Sequence, residues 1–290
     1  MALNIPKRVA PADGEPAASA AASRIIHRPA AVSGPAKVGA PKSGFILASP
    51  TTNPFHRRAI IDLAGEEGTG KTHFGFTAPG PIYEHSFDIG NEGVIEKFWG
   101  NKAIHVAEYE LSVQPGEGTA QEVADAADKV WNQFVANFRD GLSSCGNGTT
   151  LIDTGSEMWE LLRLSRFGRL TQVMPHMYTS VNKEMQGLVR ESFNYNGSTI
   201  FLTKMKPEWE NYIGPDGKEK GRKTGRFERT GFKDMPFQVQ IVAEANREDK
   251  AGGGSEFSIT IHKCRLNPDL HGITITNDFD TLMELVFAEQ

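Results

Sequence analysis

Residues 65–72 read GEEGTGKT, and this stretch restricts what the chain can fold into more than any other. Gly65, Gly70, Lys71 and Thr72 satisfy the spacing G-x-x-x-x-G-K-[S/T]. The run RRAIIDLAG (57–65) before it has the texture of a buried parallel strand, and Lys71 to Thr77, closed by APGP, that of a short helix. Glycines let backbone amides turn inward around an anion, and a helix beginning at the lysine points the positive end of its dipole at the same place. Such a loop takes a nucleoside triphosphate. Lys71 meets the β and γ phosphates and the Thr72 hydroxyl binds Mg²⁺. The candidate nucleotide-contacting residues are Gly65, Glu66, Glu67, Gly68, Thr69, Gly70, Lys71, Thr72 and His73, with Glu66 and Glu67 expected to turn outward, because acids beside a triphosphate are unfavourable.

Further acids and one lysine fall where strands end. In NGTTLIDTGSEMWELLRL an apolar run stops at Asp153 and a helical pattern follows. At that point of an open α/β sheet a carboxylate can hold Mg²⁺ through water; its alternative role is the N-cap of the next helix, which Thr154 or Ser156 could fill instead. Hydrolysis also needs a group that orients or deprotonates water, and Asp88 and Glu92 in FDIGNEGVIEKF are the two candidates. Either could instead cap a helix expected near Val94. At the end of GSTIFLTKMK (197–206), Thr203 and Lys204 can reach the γ phosphate, although Lys204 also reads as an ordinary surface lysine.

The remaining chain supports an α/β reading. PIYEHSFD (81–88) and KAIHVAEYEL (102–111) are expected strands, and Val123, Ala127, Val130, Trp131, Phe134 and Phe138 recur at helical spacing, which makes one apolar face that belongs to a core. A helix is expected over about 178–193, strands over 237–245 and 257–265, and a closing helix in DTLMELVF. The fold class that follows is a mostly parallel sheet flanked by helices, with antiparallel strands added on the C-terminal side. Residues 1–50, rich in Ala, Pro, Gly and Ser, read as a disordered tail, and 51–290 as one nucleotide-binding domain.

Three stretches together, AIIDLAGEEGTGKTHFGFTAPGPIYEHSFDIGNEGVIEKF, TTLIDTGSEMWELL and STIFLTKMK, resemble the RecA-like and AAA-type P-loop ATPases of bacteriophages, including phage nucleotide-binding proteins and single-strand annealing recombinases. The likeness spans roughly residues 57–265. It implies a RecA-like P-loop NTPase core with Gly65 to Thr72 as Walker A and Asp153 as Walker B. Lys204 falls at the position that couples nucleotide to DNA, where RecA itself carries an amide. It further implies ATP and Mg²⁺ as cofactors, ATP hydrolysis, action on single-stranded DNA in recombination or replication, self-association into rings or filaments, and a place in the host cytoplasm. The alternative reading is a nucleotide-controlled oligomeric scaffold with little hydrolysis.

Charge agrees with a regional polyanion contact rather than a global one. The chain of 290 residues carries a net charge of −5, yet GKEKGRKTGRFERTGFK (217–233) concentrates Lys218, Lys220, Arg222, Lys223, Arg226, Arg229 and Lys233 against Glu219 and Glu228. These basic residues are the candidate DNA contacts, read either as a mobile strand-tracking loop or as a solvated hairpin with turn chemistry at its ends. One of these arginines, or Lys263 or Arg265, is also a candidate finger toward a neighbouring subunit's ATP. The two cysteines, Cys145 and Cys264, lie far apart without a metal-binding pattern, which argues against a disulfide framework or a zinc site. With neither a run of 18 apolar residues nor a secretory signal, the expectation is a cytoplasmic chain without a membrane partner.

Overall fold

A computed structural model describes residues 58–88, 93–98, 100–171, 173–215 and 218–288. The tail expected over residues 1–50 lies outside the described residues, as does Glu92. The strands are β1 (Ile60–Gly65), β2 (Ile82–Ser86), β3 (Ile104–Glu108), β4 (Thr149–Asp153), β5 (Ser198–Ile213), β6 (Glu219–Arg229), β7 (Ile241–Asp249), β8 (Ser255–Cys264) and β9 (Thr274–Thr276). The helices are α1 (Lys71–Thr77), α2 (Ala120–Ser144), α3 (Gly155–Phe167), α4 (Tyr178–Glu191), α5 (Met235–Gln238) and α6 (Phe279–Val286). The sheet order is β3-β2-β4-β5-β1-β7-β8-β9, with β6 paired to β5 off this path. From β3 to β7 every neighbouring pair is parallel; β8 and β9 add antiparallel, and so does β6. This is the mostly parallel sheet with antiparallel strands added that the sequence leads one to expect.

The strand sequences explain the layering. β1, β4 and the first six residues of β5 are buried at every position, because neighbouring side chains enter opposite cores. Ile60, Ile152 and Phe201 pack with α2, α3 and α4, whereas Ile61, Leu63, Leu151, Ile200 and Leu202 pack with α1 and α6. Helix α2 starts in a capping box between Thr119 and Glu122 and buries Val123, Ala127, Trp131, Phe134 and Phe138. The helix expected near Val94 is only a single 3₁₀ turn, Ile95–Lys97. Its apolar residues Val94, Ile95 and Phe98 rest on the α1 side of the sheet, too short a stripe to extend a helix. No helix among the described residues is long and apolar enough to cross a membrane.

One buried residue makes stability depend on pH. His85 on β2 is 2% exposed, rests against Phe134 and Phe138, and has Nδ1 2.8 Å from the Tyr109 hydroxyl. Burial pushes its pKa down from 6.5 to about 4. The unfolded chain therefore takes up this proton at a higher pH than the folded one. The contribution to stability is complete above the unfolded value and is lost as pH falls from 6.5 through about 4. The full difference is about 3 kcal/mol. Urea unfolding at about pH 7.5 and about pH 4.5 should show most of that loss in the parent chain and much less of it in His85→Gln; equal losses would assign the pH dependence to other groups.

Candidate functional site

The loop after β1 and the start of α1 build a concave backbone. Gly70 has φ 82°, left-handed space that glycine enters without strain, and a Cβ there would lie 2.7 Å from Asn277 Nδ2, so a larger residue is excluded twice. Asn277, from the end of β9, donates from Nδ2 to the Gly70 carbonyl at 3.0 Å and so pins the loop from the far side of the sheet. Glu66, Glu67 and Gly68 are exposed, but Glu67 lines the cavity in front of the loop rather than turning away from it as expected, and Thr69 is buried with its hydroxyl donating to the Glu66 carbonyl. Lys71 folds back across the loop, its Nζ 3.0 Å from the Gly65 carbonyl and 2.7 Å from that of Glu66. Burial pushes the Lys71 pKa down while the nearby Asp153 carboxylate opposes this.

The loop meets the end of β4 directly. Thr72 Oγ1 donates to Asp153 Oδ2 at 2.7 Å, and Asp153 is only 3% exposed. The helix-capping alternative for Asp153 is taken by its neighbour: the Thr154 side chain accepts from the Glu157 amide at the start of α3. Burial raises the Asp153 pKa, and the Thr72 hydrogen bond holds it back.

Strand β5 lies between β4 and β1, so Lys204, the partner of Gly65 in the β1 register, comes to the same edge. Its Nζ is 2.9 Å from Asp88 Oδ2 and 2.6 Å from Glu157 Oε1. Burial alone would lower the Lys204 pKa, but these two carboxylates outweigh it and hold the ammonium charged. Glu157 was not among the sequence candidates. Its signal, an acid in the first turn of a helix, is indistinguishable from ordinary capping.

These groups open on one cavity of about 1540 Å³, lined by Gly65, Gly68, Gly70, Lys71, Thr72, His73, Asp88, Asp153 and Lys204 on one side and by Phe257, Ser258, Thr274, Thr276 and Asn277 on the other. The second wall also escaped sequence reasoning, since late-strand residues carry no motif and reach the loop only through the β7-β8-β9 extension.

The basic stretch resolves as a strand rather than a mobile loop. β5 leaves the buried sheet after Thr203 and pairs antiparallel with β6 as a largely exposed two-stranded ribbon. Lys218, Lys220, Arg222, Lys223 and Arg226 are exposed on it. Arg222 pairs with Glu210 at 2.5 Å. Arg229 departs from its expected role as a DNA contact. Its Nη1 lies 2.5 Å from Oδ2 of Asp62, which is buried on β1, and its Nη2 donates to the Ala243 carbonyl at 2.8 Å, because the ribbon turns back onto the sheet there. Lys263 and Arg265 are spent on backbone carbonyls, Lys263 on Pro236 and Val239 and Arg265 on Phe237. They sit beside the start of β7, at the sheet end opposite the phosphate loop of their own chain.

No protein-family model matches the chain, and no curated protein matches it. Among solved structures it is similar to an uncharacterized protein from Pyrococcus horikoshii in complex with an unknown peptide, at 10% identity and TM-score 0.33, over 71% of this chain and 84% of that one. A prototypical ATPase from the type III secretion system of pathogenic bacteria aligns at 12% identity and TM-score 0.36 over 65% of this chain, which spans about half (51%) of that protein. The genome packaging NTPase of Sulfolobus turreted icosahedral virus 2, in complex with ATP-gammaS, aligns at 9% identity and TM-score 0.30 over 69% and 79% of the two chains. At this distance the likeness says nothing of what this chain is or acts on.

Proposed function

We propose that the chain is a Mg²⁺-dependent P-loop ATPase that acts on single-stranded DNA in recombination or replication, with self-association into a ring or filament. The observation that carries the nucleotide half is the 2.7 Å contact between Thr72 Oγ1 and Asp153 Oδ2 beside Lys71, which brings three residues from two motifs to one point. One hydroxyl and one buried carboxylate are the hard oxygen donors that Mg²⁺ accepts alongside water and phosphate oxygens, so Thr72 and Asp153 would hold it and it would neutralise phosphate charge. Lys71 would leave its loop carbonyls for the β and γ phosphates. Lys204 would exchange Asp88 and Glu157 for the γ phosphate, and that exchange releases Asp88. In hydrolysis a water oxygen bonds to the γ phosphorus, the bond to the β–γ bridging oxygen breaks, and Asp88 takes the water's proton.

Support for the DNA half is the continuity of β5: the strand that ends the sheet at Lys204 runs on into the basic ribbon, and the Thr230 amide returns to the Lys204 carbonyl at 2.9 Å. Nucleotide state and ribbon position therefore share a backbone. A scaffold reading with little hydrolysis is favoured by one feature, the engagement of Lys204 by two carboxylates, which occupies both the cation and the candidate base.

The test is ATP turnover with and without a single-stranded oligonucleotide, with molar mass measured in parallel. Stimulation by DNA is expected, and Lys71→Ala should weaken nucleotide binding by at least about tenfold. Unchanged binding in that variant would overturn the nucleotide reading; nucleotide-dependent mass without turnover would replace the ATPase with the scaffold.

A further inference from the structure

We propose that the β5–β6 ribbon grips the bases of a single strand as well as its phosphates, with Trp209 as the stacking platform and Lys223 as the phosphate contact beside it. This rests on the DNA half of the proposed function and deepens it, because it identifies what would make the ribbon choose single strands over duplex.

Trp209 is 60% exposed, whereas Trp131 and Trp159 are buried in the core at 1% and 7%. Nothing in the packing requires an indole at this point, since the residues around it in β5 and β6 are exposed or half-buried and none is buried. Lys223 stands opposite Trp209 in the ribbon register, with Nζ 5.6 Å from the ring centre. Gly221, the next residue of β6 on that face, has no side chain to cover the ring: a Cβ there would come within 3.6 Å of Trp209 Cε3. An aromatic surface with an ammonium at its edge matches the repeating unit of a single strand, one base and one phosphate.

The rest of the ribbon has the charge for that occupant. Over residues 205–228, Lys206, Lys218, Lys220, Arg222, Lys223 and Arg226 stand against Glu208, Glu210, Asp216, Glu219 and Glu228, a small positive excess in a chain whose net charge is −5. Lys206 and Arg222 pair with Glu228 and Glu210, while Lys218, Lys220, Lys223 and Arg226 are exposed in or beside β6 and present cations that a polyanion could meet. A second pair repeats the design on the opposite face, where the Arg222 guanidinium lies 5.3 Å from the Tyr212 ring centre. In a duplex the base faces are already stacked on one another and offer the indole no surface, so the stacking contact is available only to an unpaired strand.

The experiment measures the affinity of the full chain for three fluorescently labelled probes of equal length: an oligo-dT, an abasic deoxyribose-phosphate strand, and a duplex. The parent chain should prefer oligo-dT to both others. Trp209→Ala should weaken oligo-dT about tenfold and leave the abasic strand within about twofold, while Trp209→Phe keeps most of the affinity. Lys223→Ala should weaken both single strands alike and lower the salt dependence by about one phosphate contact. Oligo-dT binding unaffected by Trp209→Ala, or a parent chain that binds the abasic strand or the duplex as well as oligo-dT, would overturn the stacking inference and leave a phosphate-only contact. Failure of the parent chain to bind any of the three would overturn the DNA half of the function as well and point to a protein partner. Nucleotide binding and its loss in Lys71→Ala would still judge the other half separately.

Discussion

Arg229→Ala is expected to destabilise the chain by about 3 kcal/mol, the low end of the range for breaking a buried ion pair, and to lower the thermal midpoint by roughly 6–12 °C. Asp62 stands on β1 between Ile61 and Leu63 with its side chain 1% exposed. Burial raises its pKa, and the Arg229 guanidinium and the Thr203 hydroxyl, 2.5 and 2.6 Å from its two oxygens, oppose that rise. Removal of the guanidinium leaves a carboxylate in the core with its main countercharge gone. The Arg229 side chain is 22% exposed, which places the cost at the lower end. Adding Asp62→Asn to Arg229→Ala should recover part of the loss, since no buried charge then remains. Thermal and urea unfolding of the single and double variants check this; an unchanged midpoint in Arg229→Ala would show that the pair contributes nothing to stability.

Asp153→Asn should have the largest effect on activity, a fall in Mg²⁺-dependent ATP turnover of about 10²–10³-fold, with nucleotide affinity measured in EDTA changed only a few-fold. The amide oxygen can still accept from the Thr72 hydroxyl, so the loop keeps its contact with β4. Burial already disfavours the Asp153 charge, so its removal should not weaken the fold. What is lost is the carboxylate that would hold the metal. Turnover within a few-fold of the parent would remove Asp153 from the metal site.

Much of the fold could be read from local patterns because those patterns obey local physics. GEEGTGKT, the apolar runs of β1, β4 and β5, and the helical spacing of Trp131, Phe134 and Phe138 each record a constraint satisfied within a few residues or by burial alone. The 3₁₀ turn at Ile95–Lys97 reads as a helix in sequence because a single turn and the start of a longer helix share the same first residues. Sequence does not divide the basic stretch between loop and hairpin, since the deciding feature is its pairing with residues 205–213 of β5, where Pro207 breaks the strand signal.

In the site, sequence alone picked out the GEEGTGKT loop and the acid and lysine at strand ends, because glycine, lysine and threonine at that spacing serve one local geometry. Only the tertiary structure decided which groups meet. Thr72 and Asp153 are 81 residues apart in sequence, Gly70 and Asn277 are 207 apart, and Arg229 and Asp62 are 167 apart. The last of these turned a presumed DNA contact into a core ion pair. Nothing in the residues around Arg229 distinguishes it from Arg226; what separates them is that the chain turns back toward β1 at one and stays in solvent at the other.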